Sequence, residues 1–181
     1  MNKDEKKQEI KSLRISSLLL EKLRNEAEAG KSSLNSLIVS ILEDYENWNR
    51  FSSEFHYVSL SSETLRTLIG RLDDKEVISM AKEKGAVFHR EIMMYWFKRV
   101  DLDSFISYLR LADKYQKIAT TTLLKDETAN VLTILLHHDL GEKWSLFTEH
   151  YFGEAIRVNF PSIQQQVERT SNLVSFKLAL N

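Results

Sequence analysis

Hydrophobic positions along the chain change period several times, and each change marks an element. Leu13-Arg14-Ile15 alternates apolar, polar, apolar, as a half-buried strand does, and helical spacing begins within two residues. Leu18, Leu19, Leu23 and Ala27 form one apolar stripe with Leu20 beside it, opened by a cap at Ser16 or Ser17 and ended at Gly30. Lys31 follows. A cap at Ser32 or Ser33 then opens a second stripe of Leu34, Leu37, Ile38, Ile41, Leu42 and Tyr45 that ends near Trp48. Strand, helix, glycine turn and helix in about forty residues are too small to bury both stripes unaided, so the pattern predicts a partner.

Beyond residue 50 the pattern is different. Phe55 to Leu60 and Ser61-Ser62 repeat the order of strand, serine pair and helix, but Asp73-Asp74-Lys75-Glu76 reads as a capping box for a new helix in place of a second glycine turn. Helical spacing continues to residue 116. Val77, Ile78 and Ala81 begin one helix, Gly85 interrupts it, and Val87, Phe88, Ile92, Tyr95, Trp96 and Phe97 continue it. Another carries Leu102, Phe105, Ile106, Leu109 and Ala112. The period then falls to two: Ile118 to Leu124 and Val131 to His138 form a hairpin across Lys125-Asp126-Glu127-Thr128. Asp139-Leu140-Gly141-Glu142 starts a helix with Trp144, Phe147, Tyr151 and Ala155 on one side. A last strand through Val174, Phe176, Leu178 and Leu180 has Ile163 to Val167 as its neighbour across Thr170-Ser171-Asn172.

Composition fits a folded protein. The chain of 181 residues is 43% hydrophobic and 10% aromatic, enough for a real core. No apolar run approaches the roughly 20 residues of a membrane span, and MNKDEKKQE lacks the apolar centre of a signal peptide, so a soluble cytoplasmic protein is expected. The absence of cysteine excludes disulfides, thiolate metal sites and a cysteine nucleophile. Net charge is −1, with nine Lys/Arg and nine Asp/Glu in residues 1–50. Lys3, Lys6, Lys7, Lys11 and Arg14 precede the first helix, whereas Glu43, Asp44 and Glu46 gather at the end of the second, a distribution that allows a basic face.

Leu13-Arg14-Ile15, the capping pair, the amphipathic helix, Gly30-Lys31-Ser32 and Leu34-Asn35-Ser36 together resemble the ribbon-helix-helix DNA-binding proteins of the Arc and methionine repressor type. The resemblance covers residues 10–50. It implies that two chains pair their strands into an intermolecular two-stranded ribbon that enters the major groove of double-stranded DNA. With Leu13 and Ile15 facing the helices, Ser12 and Arg14 would face the bases, with Ile10 on the same face and Lys11 beside it. The resemblance also sets the second helix on a phosphate, placing Lys31, Ser32, Ser33 and Leu34 at the DNA backbone.

The expected organisation is a flexible tail at 1–9, a ribbon-helix-helix domain at 10–50 and an α+β domain at 51–181 with helices and a small antiparallel sheet. The element order of that second domain looks like that of small-molecule-sensing domains of the 4-vinyl-reductase and TRAPP-like group. Its Phe88 to Phe97 run, rich in methionine and aromatics, suits core first, then a dimer interface or a ligand pocket. His137 and His138 point to opposite faces of a strand and His150 lies nearly three turns into a helix, so hydrogen bonding is expected of them and no metal site. There is no glycine-rich phosphate loop or serine nucleophile motif, so neither an enzyme nor a cofactor is expected. The functional expectation is a homodimeric transcriptional regulator, with a second domain that senses a small-molecule effector or strengthens association. The alternative is an antitoxin-like or scaffolding dimer whose N-terminal module mainly assembles chains.

Overall fold

The computed structural model describes residues 10–180, and the chain divides after Arg50 into two compact units. Residues 1–9, expected as a flexible tail, lie outside the described residues.

The first unit holds α1 (Ser17–Ala29), α2 (Leu34–Asp44) and a π-helical turn, Tyr45–Asn49. Ser16 caps α1, its hydroxyl accepting from the Leu19 amide at 3.4 Å, and Ser33 caps α2, accepting from Ser36 N–H at 3.0 Å. Between them the Ser32 amide donates to Ala27 C=O and the Lys31 amide to Glu28 C=O, the paired bonds of a Schellman ending. The left-handed residue of that ending is Lys31, at φ 50°, and not Gly30.

The predicted ribbon does not form. Residues 10–16 form no strand, and all four strands of the described chain lie between Thr120 and Ala179. Ile10 is 99% exposed and Leu13 63%. A strand needs ladder partners for its amides and a surface for its apolar side chains, and alternation over three residues supplies neither. For the same reason Phe55 to Leu60 runs as a turn and irregular chain, with Val58 79% exposed.

The second unit begins in α3 (Arg50–Glu54) and continues through α4 (Ser62–Gly70), α5 (Asp74–Phe97) and α6 (Leu102–Tyr115). Next come β1 (Thr120–Asp126), β2 (Val131–His137), α7 (Glu142–Asn159), β3 (Gln164–Arg169) and β4 (Leu173–Ala179). Asp73 and Glu76 form the capping box of α5, each side chain accepting from the other's amide. Gly85 does not interrupt α5, which runs through it for 24 residues. A Cβ there would lie 3.0 Å from the Tyr151 carbonyl carbon and 3.2 Å from its Cα, with the carbonyl oxygen nearer still. Glycine is what lets α5 and α7 meet backbone to backbone.

The sheet is antiparallel throughout, in the order β1-β2-β4-β3. Its central pair sets Leu132 opposite Leu178, Ile134 opposite Phe176 and Leu136 opposite Val174. All six are buried on one face, where they join Met93 of α5, Phe105 and Leu109 of α6, and Ala155 and Ile156 of α7 in a single core.

Candidate functional site

The helices do not fill the space above the sheet completely. A half-open cavity of about 360 Å³ is lined by α5, α6, α7, Tyr57, Leu136 of β2 and the segment leading into β1. Its walls are chiefly apolar: Phe88 stands on α5, Leu109 and Ala112 on α6, and Trp144, Phe147 and Phe152 on α7. On α7, Trp144, Phe147 and Tyr151 form an aromatic stripe, with Thr148 and Phe152 beside it in the same wall. Trp144 stacks on Phe147 at 5.1 Å, and Phe147 on Tyr151 at 5.1 Å. Bulky flat rings in series leave gaps that aliphatic side chains would close.

Three phenols line this cavity, Tyr57, Tyr108 and Tyr151, together with Gln116. The Gln116 amide donates to the Tyr108 hydroxyl at 3.5 Å. Burial pushes the pKa of all three phenols up. For Tyr57 and Tyr151, the prospect of a neighbouring phenolate raises it further. All three are therefore neutral hydroxyls at any physiological pH. Asp113, also in the wall, has both carboxylate oxygens occupied by Thr121, one by its amide at 2.8 Å and one by its hydroxyl at 2.7 Å. Lys84 also lines the cavity, at its exposed rim, with its ammonium 2.8 Å from Glu83.

Behind the wall sits His89, fully buried on α5. Rings surround it, Tyr151 at 4.6 Å, Phe152 at 5.0 Å, Phe105 at 5.5 Å and Tyr108 at 5.7 Å between centroids. Neither ring nitrogen makes a hydrogen bond of normal geometry. Desolvation lowers its pKa from 6.5 to about 3, opposed only by the Gly85 carbonyl one turn back. His89 is thus a neutral imidazole at pH 7.

His138 and Ser145 form a second buried polar pair, Nε2 to Oγ at 2.9 Å. The geometry is that of a structural pair. Nδ1 accepts from the Leu140 amide at 3.2 Å, so the proton of the neutral ring is on Nε2 and donates to Ser145. In that tautomer His138 has no lone pair with which to take the serine proton. The pair fixes the chain between β2 and α7, where Gly141 at φ 80° precedes the helix. His137 is exposed and His138 buried, as the strand pleat requires, and among the described residues no three His, Asp or Glu side chains gather as a metal ion would need.

The residues expected at DNA are all placed in the first unit. Ile10, Lys11, Ser12 and Arg14 are exposed on the irregular segment before α1. Lys31, Ser32, Ser33 and Leu34 make up the turn beyond its other end and the first residue of α2, with Lys31 exposed and Leu34 half-buried. Ser33 has its hydroxyl engaged as the α2 cap. The strand that would have set Ser12 and Arg14 on one face is absent, so the alternation argument for their shared direction falls with it. Of the Phe88 to Phe97 run, His89, Ile92 and Met93 are buried, Phe88 faces the cavity, and Trp96 stacks on Phe55 at 5.4 Å. The signal for the cavity was the aromatic stripe Trp144, Phe147, Tyr151, which reads as ordinary core by spacing alone. No protein-family model matches the chain, and no curated protein matches it.

Proposed function

We propose that the protein is a ligand-responsive DNA-binding regulator acting as a homodimer, with the second unit as its sensor. The cavity carries this reading. Its volume of about 360 Å³ falls in the range of small-molecule sites, its walls are apolar, and a few polar groups converge in it. A well-packed domain of this size has little reason to leave so large an apolar space unfilled, because each missing contact costs stability. The proposed action is binding, with no chemical step and no cofactor, and the proposed setting is the cytoplasm. None of the described helices is long and apolar enough to cross a membrane.

The DNA arm of the proposal rests on the resemblance of residues 10–50. It is supported by the exposed cations Lys11, Arg14 and Lys31 and by the capped start of α2, where backbone amides and the helix dipole favour a phosphate. Reading of a groove by a strand forms no part of it. Association is supported by the first unit itself, in which only Ala27 and Trp48 are buried among the described residues, while Leu18, Leu19, Ile41 and Leu42 are exposed. Apolar side chains on two short helices call for a second surface.

The exposed apolar residues by themselves favour the second reading, a scaffolding or antitoxin-like dimer. Binding of the full chain to random-sequence duplex DNA over a range of salt separates the two. Phosphate contacts make the logarithm of affinity fall with the logarithm of salt concentration, with a slope set by the number of contacts. Absence of DNA binding at low salt would leave the scaffold reading.

A further inference from the structure

The cavity's polar groups specify more than an apolar guest. Tyr108 accepts from Gln116 at 3.5 Å, so its own hydroxyl hydrogen is left to donate. The Tyr151 hydroxyl has no hydrogen bond within the protein among the described residues, although the ring packs tightly between His89, Phe147 and Phe152. Two donors therefore stand in the same apolar space without an acceptor. Asp113 lines it as a carboxylate with both oxygens occupied, and the one cation of the wall, Lys84, is paired at the rim with Glu83. An anion entering would lose part of its water and meet the Asp113 carboxylate, with the Lys84 charge at the rim shared with Glu83.

We propose that the cavity binds a neutral, mainly aromatic molecule carrying one hydrogen-bond-accepting oxygen, which takes the hydroxyl hydrogens of Tyr108 and Tyr151. The proposal rests on the sensor reading above and deepens it. Size follows from volume: an engineered cavity of about 150 Å³ holds benzene, so about 360 Å³ holds a ligand of roughly 14 non-hydrogen atoms. The ligand's flat body would lie against Phe88, Trp144 and Phe147, where edge and face contacts favour an aromatic over an alkyl chain.

Three probes of about thirteen non-hydrogen atoms each, near that limit, share one shape and differ in the feature at issue. 2-Acetylnaphthalene is a neutral acceptor, 2-isopropylnaphthalene has no acceptor, and 2-naphthoate is an anion. Affinities are measured by calorimetry on the full chain and on Tyr108→Phe and Tyr151→Phe, each variant first checked for an unchanged melting temperature. Loss of one hydroxyl should weaken the ketone by roughly 3- to 10-fold and leave the hydrocarbon within about 2-fold. The naphthoate should bind at least about 10-fold more weakly than the ketone to the unaltered protein. Equal effects of both variants on ketone and hydrocarbon, or tightest binding of the naphthoate, would overturn the ligand class while leaving the sensor reading in place. The naphthoate comparison needs no variant and decides even where a substitution unfolds the protein. If none of the three binds, the sensor reading itself falls.

Discussion

Gly85→Ala isolates the feature on which the second unit depends most. On helix propensity alone the change should stabilise α5 by about 1 kcal/mol, because alanine is the better helix former. The structure predicts the opposite sign. The added methyl would sit 3.0 Å from the Tyr151 carbonyl carbon and inside contact distance of its oxygen, both backbone atoms that no rotamer change can move. Relief requires α5 and α7 to separate, and overpacking of this kind costs about 1–3 kcal/mol, more where backbone must shift. With the upper end of that range set against the propensity gain, the net loss is about 2 kcal/mol, a fall in melting temperature of roughly 8 °C for a unit of this size. Thermal and urea unfolding measure it. Gly70→Ala is the control, since a Cβ at the end of α4 meets nothing within 4 Å, and it should be neutral or stabilising by a few tenths of a kcal/mol. A Gly85→Ala protein as stable as the original would refute the close approach of α5 and α7.

Acid should destabilise the second unit through His89. Its folded pKa of about 3 lies below the 6.5 of the unfolded chain, so the unfolded state takes up the proton first. Stability is whole above about pH 6.5 and declines by up to about 1.4 kcal/mol per unit as pH falls towards 3. His89→Met should flatten that decline and, by removing two buried nitrogens without partners, raise stability at pH 7 by about 1 kcal/mol; a less stable variant would show that the imidazole has a partner the geometry lacks. Ser145→Ala removes the partner of His138 Nε2 in a buried site and should cost about 1–3 kcal/mol in urea unfolding, with no cost if the pair is ornamental. Lys31→Gly should stabilise the left-handed end of α1 by about 1 kcal/mol and, under the proposed DNA binding, weaken binding to DNA of every sequence with a salt slope lower by about one; a stabilised variant with unchanged DNA affinity would remove Lys31 from the proposed phosphate contact. If residues 10–50 carry the proposed dimer, Leu42→Glu, on an exposed apolar position of α2, should shift sedimentation equilibrium towards monomer while sparing the melting of residues 51–181; a chain monomeric throughout, or a dimer that the substitution leaves unchanged, would refute that role.

What the chain spells out locally, it spells out well in the C-terminal half. Alternation at Leu132, Ile134, Leu136 and at Val174, Phe176, Leu178 marks two strands with one buried face, and a strand that alternates over seven residues leaves little freedom about its inner side. The α5 capping box is equally local, because Asp73 and Glu76 satisfy each other's amides within one turn. Other features are decided only by what packs against what. Leu13-Arg14-Ile15 has the period of a strand, but three residues of alternation carry no information about a neighbour, and the segment stays irregular. Gly85 reads as a helix breaker along the chain and becomes a helix contact in space, since its meaning depends on Tyr151, far away in sequence. At the end of α1 the left-handed conformation falls on Lys31 beside an available Gly30, because the paired bonds to Ala27 and Glu28 fix which residue turns. The cavity is the extreme case. Tyr57, Tyr108 and Tyr151 come from three distant segments, and the stripes of α6 and α7 tell which side is covered without telling that the covering is incomplete. Periodicity encodes which side of an element turns inward; whether the inward sides meet, and what they leave between them, is fixed by three-dimensional packing alone.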